Sequence, residues 1–269
     1  MIYLTKENTY TSPVRKLSLL EKKCPAIAFY FQMLSVVFNS ARLARQGKYD
    51  GEQWALHSYK TIKALESVGV RFHVDNLKAV MDLDTPAVFV ANHMSTLETF
   101  ALPVMIQPFR EVTYVVKDSL VRYPVFKHVM RARNPIVVTR DNPRQDFKIV
   151  MEQGIEKLKN GSSVIIFPQK TRRLIFEPAQ FNSIGIKLAA KADVPVVPVA
   201  VQTYAWGNGK VIKDFGKIDP SEPAIFEFGN PLQVKGKGRE THKQVIEFIS
   251  TRLRNWQKKR PKESIPPGI

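Results

Sequence analysis

Short apolar runs alternate along this chain with longer stretches in which apolar residues return every three or four positions. From about residue 70 onward the short runs read as strands and the periodic stretches as helices. Strands are expected at Val70–Val74, Ala87–Ala91, Glu111–Val116, Pro135–Thr139, Ser163–Phe167, Val194–Val201 and Pro223–Phe228. Helices are expected from the residues after His93 to about Met105, over Leu120–Met130 with a break at Pro124, and over 143–159 and 181–192. A basic C-terminal helix is marked by Ile246, Ile249, Leu253 and Trp256, and the Lys-rich end from Lys258 to Pro267 reads as a mobile tail. The helix at 143–159 is the best marked. Asn142 is its N-cap, Pro143 takes the first helical position, and Phe147, Val150, Met151, Ile155 and Leu158 share one face before Asn160-Gly161. Strands alternating with helices predict an α/β domain, with a central, largely parallel or mixed sheet flanked by helices. The prolines of 194–201 predict an edge strand, irregular pairing or entry to a pocket.

Residues 1–69 follow another pattern and predict an N-terminal helical segment ahead of an α/β domain at 70–269. Helical periodicity covers about 14–46 and 50–68, the second with Trp54, Leu56, Ile62, Leu65 and Val68 and with Gly69 as C-cap. The run Pro25–Phe38 is shorter than the roughly 20 apolar residues of a bilayer span and contains Gln32 and Ser35. It reads as an interfacial or buried helix. Arg15, Lys16, Lys22 and Lys23 precede it, and Arg42, Arg45 and Lys48 follow. Such flanks suit a helix lying in an anionic headgroup layer. They equally suit a helix packed on its own core with a solvated basic face.

Charge narrows the partners. Lys and Arg total 41 against 24 Asp and Glu, a formal charge of +17. That balance points to a polyanion: nucleic acid, an anionic membrane surface or an acidic carrier protein. No nucleic-acid recognition motif and no stacking aromatics on strands are present, so a nucleic-acid partner is not expected. The single cysteine, Cys24, excludes an internal disulfide and reads as a small buried hydrophobe. Met1–Ser12 lacks the apolar core of a signal peptide.

The candidate chemistry sits at strand ends. His93 follows the strand 87–91, Lys117 ends 111–116, Arg140 ends 135–139, and the strand 163–167 runs into the loop holding Arg172. Parallel strands would bring one base and three cations to one crevice, where ligands of α/β proteins bind. Cations in that number suit a phosphate monoester. A neutral imidazole can act as general base. Glu98, five positions on, can fix its tautomer. Ser95-Thr96-Leu97-Glu98 is also a capping box, in which Glu98 reaches back to the Ser95 N–H with no catalytic role. Ser95 and Ser119 lack nucleophile-elbow surroundings, and there is no P-loop, no GxGxxG and no Cys/His cluster. Asp82 and Asp84 lie in a turn with no third ligand nearby, so no metal is expected.

These residues resemble the glycerolipid acyltransferases, especially the 1-acylglycerol-3-phosphate acyltransferases. Asn92-His93-x4-Glu98 resembles their N-H-x4-D block, and Phe167-Pro168-Gln169-Lys170-Thr171-Arg172 their F-P-E-G-T-R block. Lys117-Asp118-Ser119-Leu120 with Tyr123-Pro124, Ile136–Arg140 and Val194–Val199 resemble three further blocks, in the same order, over roughly residues 80–205. The resemblance implies that His93 deprotonates an acceptor hydroxyl, which attacks the thioester of acyl-CoA or acyl-carrier protein. It implies Glu98 in the aspartate's place, Lys117, Arg140 and Arg172 on the acceptor's phosphate, and Gln169, Lys170 and Thr171 in the acceptor loop. The donor is a co-substrate, and no cofactor is implied. A lysophospholipid acceptor, a docking role for the N-terminal helices, and a peripheral or monotopic place on the cytoplasmic side of a membrane complete the picture. Two residues depart from the pattern: Glu98 is one methylene longer than Asp, and Gln169-Lys170 stands for Glu-Gly. The departures leave two alternatives, a weakly active or inactive lipid-binding relative, or a different lyso-acceptor.

Overall fold

The N-terminal residues pair with the edge of the sheet before the chain forms its helices. In a computed structural model, which describes residues 1–210 and 212–258, β1 (Tyr10–Thr11) adds a two-residue edge that the sequence pattern did not reveal. The expected helix over 14–46 divides into α1 (Leu19–Lys23) and α2 (Pro25–Arg45) at Cys24-Pro25, since a proline favours the first helical turn and restricts the residue before it. Cys24 is half-buried at this junction rather than packed in the core. α3 (Gly51–Ser67) starts where the Asp50 carboxylate accepts the Gln53 N–H at 2.8 Å and ends at Gly69, whose φ of +101° suits glycine.

The α/β part then runs β2 (Phe72–Asp75), α4 (Lys78–Met81), β3 (Val88–Ala91), α5 (Leu97–Ile106), β4 (Val112–Lys117), α6 (Phe126–Ala132), β5 (Ile136–Val138), α7 (Pro143–Lys159), β6 (Ser163–Ile166), α8 (Ile184–Ala192), β7 (Val196–Gln202), β8 (Ala224–Phe228) and α9 (Arg239–Lys258). The expected helix at 120–130 is instead a 3-10 turn, Asp118–Val121, followed by α6, with the break at Pro124. Most of the expected mobile tail, residues 259–267, lies outside the described residues.

One mixed sheet results, in the order β1-β2-β8-β7-β3-β6-β4-β5. β3, β6, β4 and β5 are parallel neighbours, and β7 joins β3 in parallel. The antiparallel pairs are β1 with β2 and β7 with β8. β7 is fully buried between two partners, which corrects the expectation of an edge strand. Its prolines fit for a local reason. Pairing with β8 begins at Val199–Phe228, so Pro195 and Pro198 precede that ladder, while the Pro198 carbonyl still accepts the Gly229 N–H at 2.7 Å.

Candidate active site

The four parallel strands β3, β6, β4 and β5 end along one edge, and the chemistry collects there. Asn92 extends β3 past its last paired residue: its side chain donates to the Val201 carbonyl at 2.9 Å and accepts the Val201 N–H at 2.8 Å. The chain is thereby fixed on β7 just before His93.

His93 Nδ1 lies 2.9 Å from Glu98 Oε1. The same oxygen accepts the Met94 N–H at 2.6 Å and the Ser95 N–H at 2.8 Å. Glu98 therefore holds the imidazole and caps α5 at once, so the two sequence readings describe one carboxylate. Its other oxygen accepts the hydroxyls of Thr203 at 2.8 Å and Ser95 at 3.0 Å. Burial pushes the Glu98 carboxyl up, but the hydrogen bonds from His93 and the backbone outweigh it, and the group is held below the ordinary carboxylate value.

The imidazole stacks on Phe167, with ring centroids 4.3 Å apart. Gln169, buried in the loop after β6, accepts the His93 N–H through Oε1 at 2.7 Å. The His93 carbonyl accepts the Arg173 N–H at 2.9 Å. The loop thus grips both backbone groups of His93. An amide oxygen accepts that N–H as a carboxylate would, so Gln169 in the place of Glu removes a charge and keeps a hydrogen bond.

The cations divide into two kinds. Lys117, at the end of β4, and Lys170 are exposed on the rim, with Thr171 beside them. Arg140 and Arg172 are tied to the protein. Arg140 has a φ of +68°, its N–H is held by the Asp146 carboxylate at 2.7 Å, and its guanidinium donates to the Lys170 carbonyl. Burial pushes Arg140 below its ordinary value, Asp146 opposes this, and the charge of Arg172 adds to it. Arg172 donates to Thr96 Oγ1 and pairs with Asp214, both at 2.7 Å.

His93, Phe167, Thr171, the four cations and Asp214 line one cavity of about 730 Å³, with Glu98 and Gln169 buried behind His93. Its polar end holds His93, Thr96, Lys117, Arg140, Lys170 and Arg172; its apolar end runs between α2, α3 and α6 past Met33, Val37, Trp54 and Val129. Sequence reasoning missed Thr203 and Asp214, which lie in or after the β7 turn with no motif of their own, and it could not place the apolar walls. Among the described residues, no group of three or more His, Cys, Asp or Glu side chains is arranged to hold a metal.

His93, backed by the buried Glu98, thus lines the polar end of a half-apolar cavity at the edge of a mixed α/β sheet. A family model described as Acyltransferase matches residues 69–202, and the chain belongs to that family. It is similar to the 1-acyl-sn-glycerol-3-phosphate acyltransferase of Pseudomonas aeruginosa, at 34% identity over 49% of this chain and 49% of that protein. It is also similar to the chloroplastic 1-acyl-sn-glycerol-3-phosphate acyltransferase LPAT1 of Arabidopsis thaliana, at 28% identity over 53% and 38% of the two chains. The chain thus spans about half the length, or less, of these curated relatives. The crystal structure of the 1-acyl-sn-glycerophosphate acyltransferase PlsC from Thermotoga maritima shares the fold, with a TM-score of 0.68, 20% identity, and coverage of 88% of this chain and 96% of that one.

Proposed function

We propose that this protein moves a fatty acyl group from a thioester donor, acyl-CoA or acyl-carrier protein, to the free hydroxyl of a lysophospholipid. The acceptor that fits best is 1-acylglycerol-3-phosphate, which would become phosphatidic acid. The observation that carries the reading is the His93–Glu98 contact at 2.9 Å, at the polar end of a cavity whose other end is apolar. His93 would take the acceptor's hydroxyl proton on Nε2 while Glu98 holds Nδ1–H. The oxygen then bonds to the thioester carbonyl carbon, the C–S bond breaks, and the imidazolium returns its proton to the leaving thiolate. Lys117, Arg140 and Arg172 would bind the acceptor's phosphate, with Lys170 and Thr171 lining its approach. Gln169 positions His93 from behind. The acyl chain would occupy the apolar end, and no cofactor enters the reaction.

In the same reading, residues 1–69 dock the catalytic part, 70–269, on the cytoplasmic side of an anionic membrane as a peripheral or monotopic enzyme. Support comes from the outward row Ile27, Phe31, Leu34 and Phe38 on α2, all exposed, with Phe31 at 80%. The test is acyl transfer from a long-chain acyl-CoA to lysophosphatidic acid. His93→Ala should lower the rate about 10²–10⁴-fold; equal rates for both proteins would remove His93 as base.

A further inference from the structure

The loop after β7 delivers a carboxylate to a cation that the proposed reaction gives to the acceptor's phosphate. Asp214 Oδ1 lies 2.7 Å from Arg172 Nη2 and accepts the Thr96 hydroxyl at 3.0 Å. Arg172 Nη1 in turn donates to Thr96 Oγ1 at 2.7 Å. Two donors, one guanidinium N–H and one hydroxyl, therefore converge on a single anionic oxygen in the cavity wall. A phosphate oxygen asks for the same donors at the same distances.

The surroundings favour a carboxylate that can leave. Thr96 is buried and Arg172 is 19% exposed, whereas Asp214 is 36% exposed and reaches in from the solvent side. The main chain beneath Asp214 is fixed. Its carbonyl accepts the Trp206 indole N–H at 3.1 Å, the Gly216 carbonyl accepts the Tyr30 hydroxyl at 2.6 Å, and the Phe215 and Tyr30 rings lie 5.2 Å apart. The loop is thus anchored by contacts that do not use the Asp214 carboxylate, whose Oδ1 meets Arg172 and Thr96.

We propose that Arg172 and Thr96 form the acceptor-phosphate subsite and that Asp214 occupies it as an internal anion until a phosphate displaces it. Thr96 is then a phosphate ligand, and Asp214 is a competitor that keeps the subsite filled when no acceptor is bound. This rests on the acyltransfer reading for the identity of the acceptor, while the competition itself concerns phosphate chemistry alone.

A competitor and a strut predict opposite signs. If Asp214 competes, removing its charge tightens phosphate binding; if it braces Arg172, removing its charge weakens binding. The full-length protein is titrated calorimetrically with inorganic phosphate, and with lysophosphatidic acid in mixed micelles. Wild type is compared with Asp214→Asn, Thr96→Val and Thr96→Ser. Asp214→Asn should lower Kd for both ligands about two- to fivefold, the range of a partly exposed ion pair, and lower KM for lysophosphatidic acid alike. Thr96→Val should raise both Kd values, and Thr96→Ser, which keeps the hydroxyl, should restore them. Unchanged or weaker binding by Asp214→Asn overturns the competition, and unchanged binding by Thr96→Val removes Thr96 from the subsite. A wild type that shows this phosphate competition but transfers no acyl group would overturn the acyltransfer reading and leave this one standing.

Discussion

Glu98 is the residue on which the site turns. A side chain one methylene longer than aspartate needs its far end held, and here three donors meet one oxygen and two hydroxyls meet the other. Glu98→Gln keeps the shape, since its amide oxygen can face the N–H donors and its NH2 the two hydroxyls, which can turn to accept. The charge that stabilises an imidazolium is lost, so acyl transfer should fall roughly 10²-fold with the fold retained; a wild-type rate would reduce Glu98 to a cap. Stability gives a second reading. The folded-state value of Glu98 is lowered from 4.5, so its contribution is present above that value and is lost as pH falls through the folded one. Urea midpoints of wild type and Glu98→Gln should therefore differ at pH 7 and converge on acidification; a gap that stays constant down to pH 3 would contradict this. Gln169→Leu leaves the buried His93 N–H without its acceptor and should cost about 1–3 kcal/mol. Gln169→Glu should recover most of that in the same urea measurement.

At the scale of elements, close approach decides more than propensity. α8 lies so near β3 that a Cβ on Gly185 would meet Val90 Cγ2 at 2.7 Å. A β-branched strand residue in the middle of a sheet cannot yield, so Gly185→Ala should destabilise by about 1–3 kcal/mol. An unchanged urea midpoint would mean that α8 can slide off β3. α2 shows the opposite case of a face left uncovered. Phe29 and Met33 pack inward, with Phe29 edge-on to Trp206 at 4.8 Å, while Ile27, Phe31, Leu34 and Phe38 point out. The helix runs 21 residues, beyond the apolar run that marked it in the sequence, and is long and apolar enough to cross a membrane by length and composition. Its packed inner face suits a helix lying on a surface.

For the whole molecule, the same arrangement sets how the cavity would meet its lipids. Leu34, Phe38, Tyr123 and Phe215 are exposed apolar residues that also line the cavity, so the outward row of α2 continues into its mouth. With a net charge of +17 over the whole sequence, such a side suits an anionic bilayer. The double change Phe31→Ser with Phe38→Ser should lower binding to anionic vesicles at least about tenfold, since each buried Phe contributes roughly 1.5–3 kcal/mol. Co-sedimentation with vesicles reads the loss, and undiminished binding would move the docking surface elsewhere.

Much of this was legible from residue order alone. The bounds of α7 follow from Asn142, Pro143 and the apolar spacing, and the strand-end places of His93, Lys117 and Arg140 follow from the short, mainly apolar runs before them. Caps and periodicity act over a few neighbours, so the sequence carries them openly. What it could not carry was the choice of distant partners. Thr203 meets Glu98 across 105 positions, Gln169 meets His93 across 76, and Asp214 meets Arg172 across 42. Only the strand order, which sets β7 and β6 on either side of β3, brings these groups together. The same order buried β7 despite its prolines, because a missing N–H matters only where a ladder calls for it. For Glu98, local spacing made it a cap, and the folded sheet edge also put the His93 imidazole against its carboxylate.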